Sequence, residues 1–156
     1  MNMITFFGTS HRSALFLDQA IQHGLKVDLV VSGPAKPIGK KQIITENPTV
    51  TVANKAGIPF LTSIFDLLPQ SSIFHHQSSS VGIILDFNKI IPAEIINLFS
   101  KGIINIHFSK LPQYRGAAPV QYTILNGDKE AWITYYLINE KVDAGQILKQ
   151  TSLTLD

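Results

Sequence analysis

One short run of the chain, Ile103-Ile104-Asn105-Ile106-His107-Phe108-Ser109, places three polar residue types side by side. Strand side chains alternate between faces, so Asn105, His107 and Ser109 share one side and Ile104, Ile106 and Phe108 the other. A carboxamide can donate to a developing oxyanion, and an imidazole can move a proton near neutral pH. Asp143 stands 36 residues past His107, just before Ala144-Gly145, and a carboxylate can hold an imidazole or an ordered water. Each residue also has a plainer use: a strand-end histidine makes structural hydrogen bonds, and an aspartate before Ala-Gly makes a turn. Between them, the stretch from Lys110 to Pro119 is bracketed by prolines and contains Gly116. Such a loop can keep one shape and bring small side chains close to a ligand.

Other chemistries find less support. There is no cysteine, hence no disulfide framework, thiolate zinc site or cysteine nucleophile. His75 and His76 are adjacent in a polar, serine-rich stretch that reads as a loop, a poor start for a zinc site, so no metal is expected. Gly8 is not part of a G-x-G-x-x-G fingerprint, and Ser109 lacks a nucleophile-elbow context.

The elements that must position these residues follow from periodicity. Met3 to Phe7 reads as a strand, Ser13 to His23 as a helix stopped by Gly24, and Val27 to Val31 as a strand. That is a β-α-β unit, right-handed between parallel strands. Pro34 to Asn47 reads as a looser stretch carrying Lys36, Lys40 and Lys41, followed by a helix over Thr49 to Ala56 and a brief strand at Phe60-Leu61. Gln70 to Ser80 reads as polar surface, and Val81 to Leu85 as a strand buried on both faces. A helix is expected from Pro92 to Ser100, a strand over Ile103 to Phe108 and a helix over Val120 to Asn126. Trp132 to Ile138 and Gln146 to Thr154 read as late strands, antiparallel and joined through Asp143-Ala144-Gly145. The expected fold class is α/β, a Rossmann-like open, mostly parallel sheet with helices on both faces. In such sheets ligands bind beyond the carboxyl ends of the strands.

Composition agrees with a single domain. The chain has 156 residues, 45% hydrophobic and 15% charged, which excludes disordered and low-complexity classes. A net charge of +2 gives no overall field for nucleic acid, so any such contact must be a local patch. Met1 to Phe7 is apolar but Gly8 to Arg12 interrupts it, far short of the ~20 residues of a membrane span. It also lacks the basic start of a signal peptide. The expectation is a cytoplasmic protein with no membrane partner; oligomeric state is not legible.

The run Asn105-Ile106-His107-Phe108-Ser109-Lys110-Leu111-Pro112-Gln113-Tyr114-Arg115-Gly116-Ala117-Ala118-Pro119-Val120-Gln121, with Asn126-Gly127-Asp128 and Val142-Asp143-Ala144-Gly145, resembles the signature of the 10-formyltetrahydrofolate-dependent formyltransferases. Arg115 to Pro119 with Gln121 is similar to the branch whose acceptor is initiator methionyl-tRNA. The resemblance implies the formyltransferase fold, 10-formyltetrahydrofolate as formyl donor, and Asn105, His107 and Asp143 as catalytic residues. It implies a folate slot walled by Phe87, Asn88, Lys89, Ile90 and Ile91 on one side and by Asn139 on the other, with Ser109, Leu111 and Pro112 also binding the folate. For the acceptor it implies Gly8, Thr9, Arg115 and Gly116, and a shortened basic loop carrying Lys36, Lys40 and Lys41, with Arg12 a further candidate for phosphates. Three features depart from the family pattern: Phe108 for a usual glycine, Lys110 for a usual leucine, and Asp86-Phe87-Asn88 for a small-aromatic-glycine run. Residues 1–156 are expected to form one catalytic domain that lacks the family's last catalytic-domain helix and any C-terminal domain. The same chemistry on an amino-sugar nucleotide, glycinamide ribonucleotide or water, or folate binding without turnover, stays open at this level.

Overall fold

A computed structural model describes residues 2–76 and 79–155 of the chain. The first apolar run becomes β1 (Asn2–Phe7), in which Phe6 and Phe7 are fully buried on opposite faces of the sheet. Ser10 then starts α1 (His11–Gln22) with a capping box: its hydroxyl accepts from the Ser13 N–H while the Ser13 hydroxyl accepts from the Ser10 N–H. Both bonds satisfy N–H groups that a helix end leaves without partners. The chain continues through β2 (Leu29–Val31), β3 (Lys36–Ile38), β4 (Ile43–Thr45), α2 (Pro48–Ala56), β5 (Phe60–Leu61) and a 3-10 helix, Ile64–Gln70, running into α3 (Ser71–His76). It ends with β6 (Ser79–Ile84), α4 (Ala93–Ile96), β7 (Ile103–His107), α5 (Pro119–Leu125), β8 (Glu130–Leu137) and β9 (Gln146–Thr154).

Seven strands form one sheet in the order β5-β2-β1-β6-β7-β8-β9. The first five are parallel, β8 runs antiparallel to β7, and β9 antiparallel to β8. The alternating strand side chains feed two cores. Phe7, Val31, Ile84 and Ile103 pack with Ile64, Leu67, Phe74 and Ile95 on one face, beneath the 3-10 helix, α3 and α4. Phe6, Val30 and Ile106 pack with Leu17 of α1 and Ala53 of α2 on the other. Helices thus cover both faces, as the run of β-α-β units requires.

Three local expectations change. Pro34 to Asn47 is not a loose stretch: Lys36–Ile38 pairs antiparallel with Ile43–Thr45 as a separate exposed hairpin, because its isoleucines and threonine favour strands despite the lysines around them. The segment entering Gln70 to Ser80 is helical rather than a loop, since Ile64, Leu67 and Phe74 bury against the sheet. Within it, His75 and His76 close α3, and the Gln77 and Ser78 part of that reading lies outside the described residues. The helix after Pro92 spans only Ala93–Ile96, with turns carrying the chain on to Gly102. Among the described residues, no helix is long and apolar enough to cross a membrane.

Candidate functional site

A cleft of about 810 Å³ opens along the carboxyl ends of β1, β6 and β7 and over the face of β7 and β8. Its lining comes from far-apart segments: Thr9, Ser10 and Arg12 after β1, residues 86–91 after β6, Asn105 to Phe108, Gly116 and Ala117, and residues 138–143 after β8. The last wall arrives from an unexpected direction. Because β8 is antiparallel to β7, Leu137 lies opposite Ile104, at the amino end of the parallel strands. The eight residues between β8 and β9 fold back over the sheet, bringing Asp143 down beside His107. Gly145 makes that return possible, since a Cβ there would overlap the Leu137 carbonyl oxygen.

Asn105, His107 and Asp143 meet in the cleft. The His107 imidazole and the Asp143 carboxylate are almost wholly buried, with Nδ1 3.7 Å from Oδ2. His107 Nε2 donates to the Tyr114 carbonyl at 3.0 Å; a carbonyl only accepts, so this bond places a proton on Nε2. Both Asp143 oxygens have donors. The Tyr136 hydroxyl donates to Oδ1 at 2.6 Å and the Gly116 N–H to Oδ2 at 2.6 Å. Asn105 Nδ2 in turn donates to the Tyr136 hydroxyl oxygen at 2.8 Å. Burial, and then the hydrogen bond to Asp143, push the Tyr136 phenol well above its ordinary range, so it stays protonated in any working solution. Arg115 does not line the cleft; its Nε braces the Asp143 carbonyl from behind at 2.9 Å.

The backbone around this cluster is strained. Asp86, Tyr114 and Asp143 have φ of 50°, 55° and 48°, left-handed values that residues with side chains rarely adopt and that concentrate where geometry is fixed for function. At the opposite rim, Arg12 grips Asp86 with two bonds, Nε to Oδ2 at 2.7 Å and Nη2 to Oδ1 at 3.1 Å. Its guanidinium also lies 4.9 Å above the Phe108 ring centre. Asp86 and Phe108, two of the positions expected to depart from the family pattern, are therefore joined through Arg12 at the edge of the site. The third, Lys110, turns away onto the Trp132 ring, 4.1 Å from its centre.

Of the other residues singled out in the sequence, Thr9, Phe87, Asn88, Lys89, Ile90, Ile91, Gly116 and Asn139 line the cleft. The rest do not. The buried Ser109 hydroxyl donates to the Gln113 carbonyl and shapes the loop instead. Leu111 is buried, its carbonyl accepting from Gln150 on β9, and Pro112 is exposed and does not line the cleft. Gly8 donates its N–H to the Val31 carbonyl and sits against Ser13. Lys36, Lys40 and Lys41 belong to the exposed β3–β4 hairpin. Sequence reasoning missed Tyr136, which lies directly across the ladder from Asn105. Only the pairing register of β7 with β8 reveals it. Among the described residues, no three histidine, aspartate or glutamate side chains gather as metal ligands.

Comparison with known proteins gives a consistent picture. The family model described as formyl transferase matches residues 1–156. A methionyl-tRNA formyltransferase of Buchnera aphidicola subsp. Schizaphis graminum is 36% identical over 154 residues, 97% of this chain and 49% of that protein. One from Lysinibacillus sphaericus is 34% identical over 159 residues, 100% of this chain and 50% of that protein. The chain thus spans about half the length of these relatives. Among solved structures, a phosphoribosylglycinamide formyltransferase from Bacillus halodurans superposes with a TM-score of 0.76 at 15% identity, covering 100% of this chain and 81% of that one. An N-formyltransferase from Helicobacter canadensis, in complex with folinic acid and dTDP-3-aminofucose, gives 0.66 at 20% identity, covering 100% and 54%. At these identities the structural likeness speaks for the fold.

Proposed function

The chain belongs to the formyl transferase family, and from that premise we propose that it transfers a formyl group from 10-formyltetrahydrofolate to the amino group of methionyl-tRNA. The observation that carries this reading is the meeting of a carboxamide, an imidazole and a carboxylate in one cleft, the last two nearly buried. The names of the curated relatives support the acceptor. A role in translation initiation implies a cytoplasmic location.

The cleft suits a folate. Phe87, Ile90, Ile91 and Ile138 give it apolar walls, with Ile90 left 76% exposed, and flat heteroaromatic rings favour such surfaces beside a few polar groups. Phe87 to Ile91 would hold one side of the ring system and Asn139 to Val142 the other. When bound, the donor supplies the formyl carbonyl carbon that the amine attacks. Asn105 has one N–H committed to Tyr136, and its second is the donor for the carbonyl oxygen as negative charge develops there. Such a donor contributes about 2.7–4 kcal/mol. His107 holds one proton against the Tyr114 carbonyl. A second, at Nδ1, would face Asp143 Oδ2 and set an imidazolium beside the reacting carbonyl. Nδ1 when neutral would take the proton lost by the amine and pass it to the folate nitrogen as that nitrogen's bond to the formyl carbon breaks, leaving formylated amine and tetrahydrofolate, help of about 10²–10⁴-fold. Asp143 keeps the imidazole oriented and lies opposite its charge. Thr9 and Gly116, which line the cleft, would face the acceptor; Lys36, Lys40 and Lys41 on the exposed hairpin, and Arg12 at the rim, would meet its phosphates.

The decisive experiment incubates the chain with 10-formyltetrahydrofolate and, separately, methionyl-tRNA, amino-sugar nucleotides, glycinamide ribonucleotide or buffer alone, following folate deformylation and the formylated product. Formylation of methionyl-tRNA in preference to the others is expected. Preference for a small amine overturns the acceptor, deformylation in buffer alone makes water the acceptor, and folate binding without turnover overturns the enzymatic reading.

A further inference from the structure

A hydrogen bond from the Asn105 carboxamide to Tyr136, partly buried, and one from Tyr136 to Asp143, fully buried, are each at most 2.8 Å long. The direction of every proton along this relay is dictated. An ionised carboxylate only accepts, so the Tyr136 hydroxyl must donate to Asp143. Its single proton is then committed and its oxygen can only accept. Asn105 must therefore present Nδ2 rather than Oδ1 to it, although the two ends of a carboxamide have nearly the same shape. The negative charge on Asp143 thereby selects which end of the Asn105 amide faces Tyr136, through a phenol that its surroundings keep protonated.

We propose that Tyr136 is a positioning residue: it transmits the Asp143 charge to Asn105 and fixes the carboxamide with its free N–H available to the formyl oxygen. The inference rests on the formyl-transfer reading and deepens it, since it explains how a residue with no charge of its own is held in the one orientation that can stabilise an oxyanion. A carboxamide free to turn over would present a lone pair to that oxygen for part of the time and repel it. The substitution Tyr136→Phe would keep the ring and its packing while removing both bonds.

The test joins kinetics with a measurement independent of turnover. Tyr136→Phe is expected to lower kcat about 10-fold, the loss of one oriented neutral donor, with KM for folate and acceptor within about 2-fold of the parent. In an Asn105→Ala background the same substitution is expected to cost less than about 2-fold, because nothing is left to orient. A parent-like kcat in Tyr136→Phe, or a full 10-fold loss that persists without Asn105, overturns the proposal. In the unaltered chain, nuclear magnetic resonance should find the Asn105 side-chain amide protons distinct and slowly exchanging, with a through-space contact to the Tyr136 ring. A rapidly exchanging, averaged amide overturns the proposal even if Tyr136→Phe does not fold. If the parent transfers formyl to no amine, the function proposed above falls, while the amide measurement still decides what Tyr136 does.

Discussion

His107 and Asp143 lie 3.7 Å apart with both carboxylate oxygens already engaged by other donors, so their contributions to rate and to stability can be separated. Asp143→Ala would strand the Tyr136 hydroxyl and the Gly116 N–H, each unsatisfied group costing about 1–3 kcal/mol. Asp143→Asn keeps one acceptor and is the cleaner variant. Both His107→Ala and Asp143→Asn are expected to lower kcat by at least about 10²-fold, with Tm changing far less than in Asp143→Ala; kinetics beside thermal melts check this. Tyr136 predicts a pH effect. Its phenol is held above the ordinary value near 10, so the native state keeps a proton that the unfolded chain sheds as pH rises past about 10. This stabilisation is complete below about pH 10 and declines above it. Denaturant melts carried above about pH 10 should lose stability more steeply with pH in the parent chain than in Tyr136→Phe.

At the level of elements, one residue controls whether the last wall of the cleft can form. Gly145→Ala would drive a methyl into the Leu137 carbonyl, and the loop would have to move away from the sheet, taking Asp143 with it. A destabilisation of about 1–3 kcal/mol is expected, together with a fall in kcat out of proportion to it; chemical denaturation and steady-state kinetics give both numbers. The two ends of the proposed cluster are visible in the sequence for different reasons: alternation puts Asn105 and His107 on one side of a strand, and Asp143 stands out through the resemblance to the formyltransferase signature. Tyr136 has neither signal. Its partnership with Asn105 is a cross-strand fact set by the β7–β8 register, and nothing within Trp132 to Ile138 distinguishes it from Tyr135 beside it. The β3–β4 hairpin is hidden for a related reason, since Pro37, Gly39 and three lysines mask the pairing of Lys36–Ile38 with Ile43–Thr45. Carboxyl-end placement locates half of the cleft; the returning loop after β8, which starts at the opposite edge, supplies the rest.

At the scale of the whole molecule, the three lysines proposed to meet a nucleic acid are set apart from the residues proposed to do chemistry. Lys36, Lys40 and Lys41 stand on an exposed hairpin outside the cleft, whereas His107 and Asp143 are buried within it. Replacing the three lysines with alanine is expected to weaken methionyl-tRNA binding and flatten its dependence on salt. Each phosphate deprived of its lysine should reduce the log–log slope by about 0.7–0.9, with kcat at saturating tRNA little changed; binding isotherms at several salt concentrations test this. Unchanged slopes would make the hairpin a bystander. The late arrival of Asp143 has a bearing on biosynthesis. A ribosome releases the amide and the imidazole first, on a sheet that already has its five parallel strands, and the acidic partner only with the hairpin that follows. Until that hairpin docks, the crevice lacks its last wall and His107 lacks its carboxylate neighbour, so the pair comes together only once the chain has been made as far as β9.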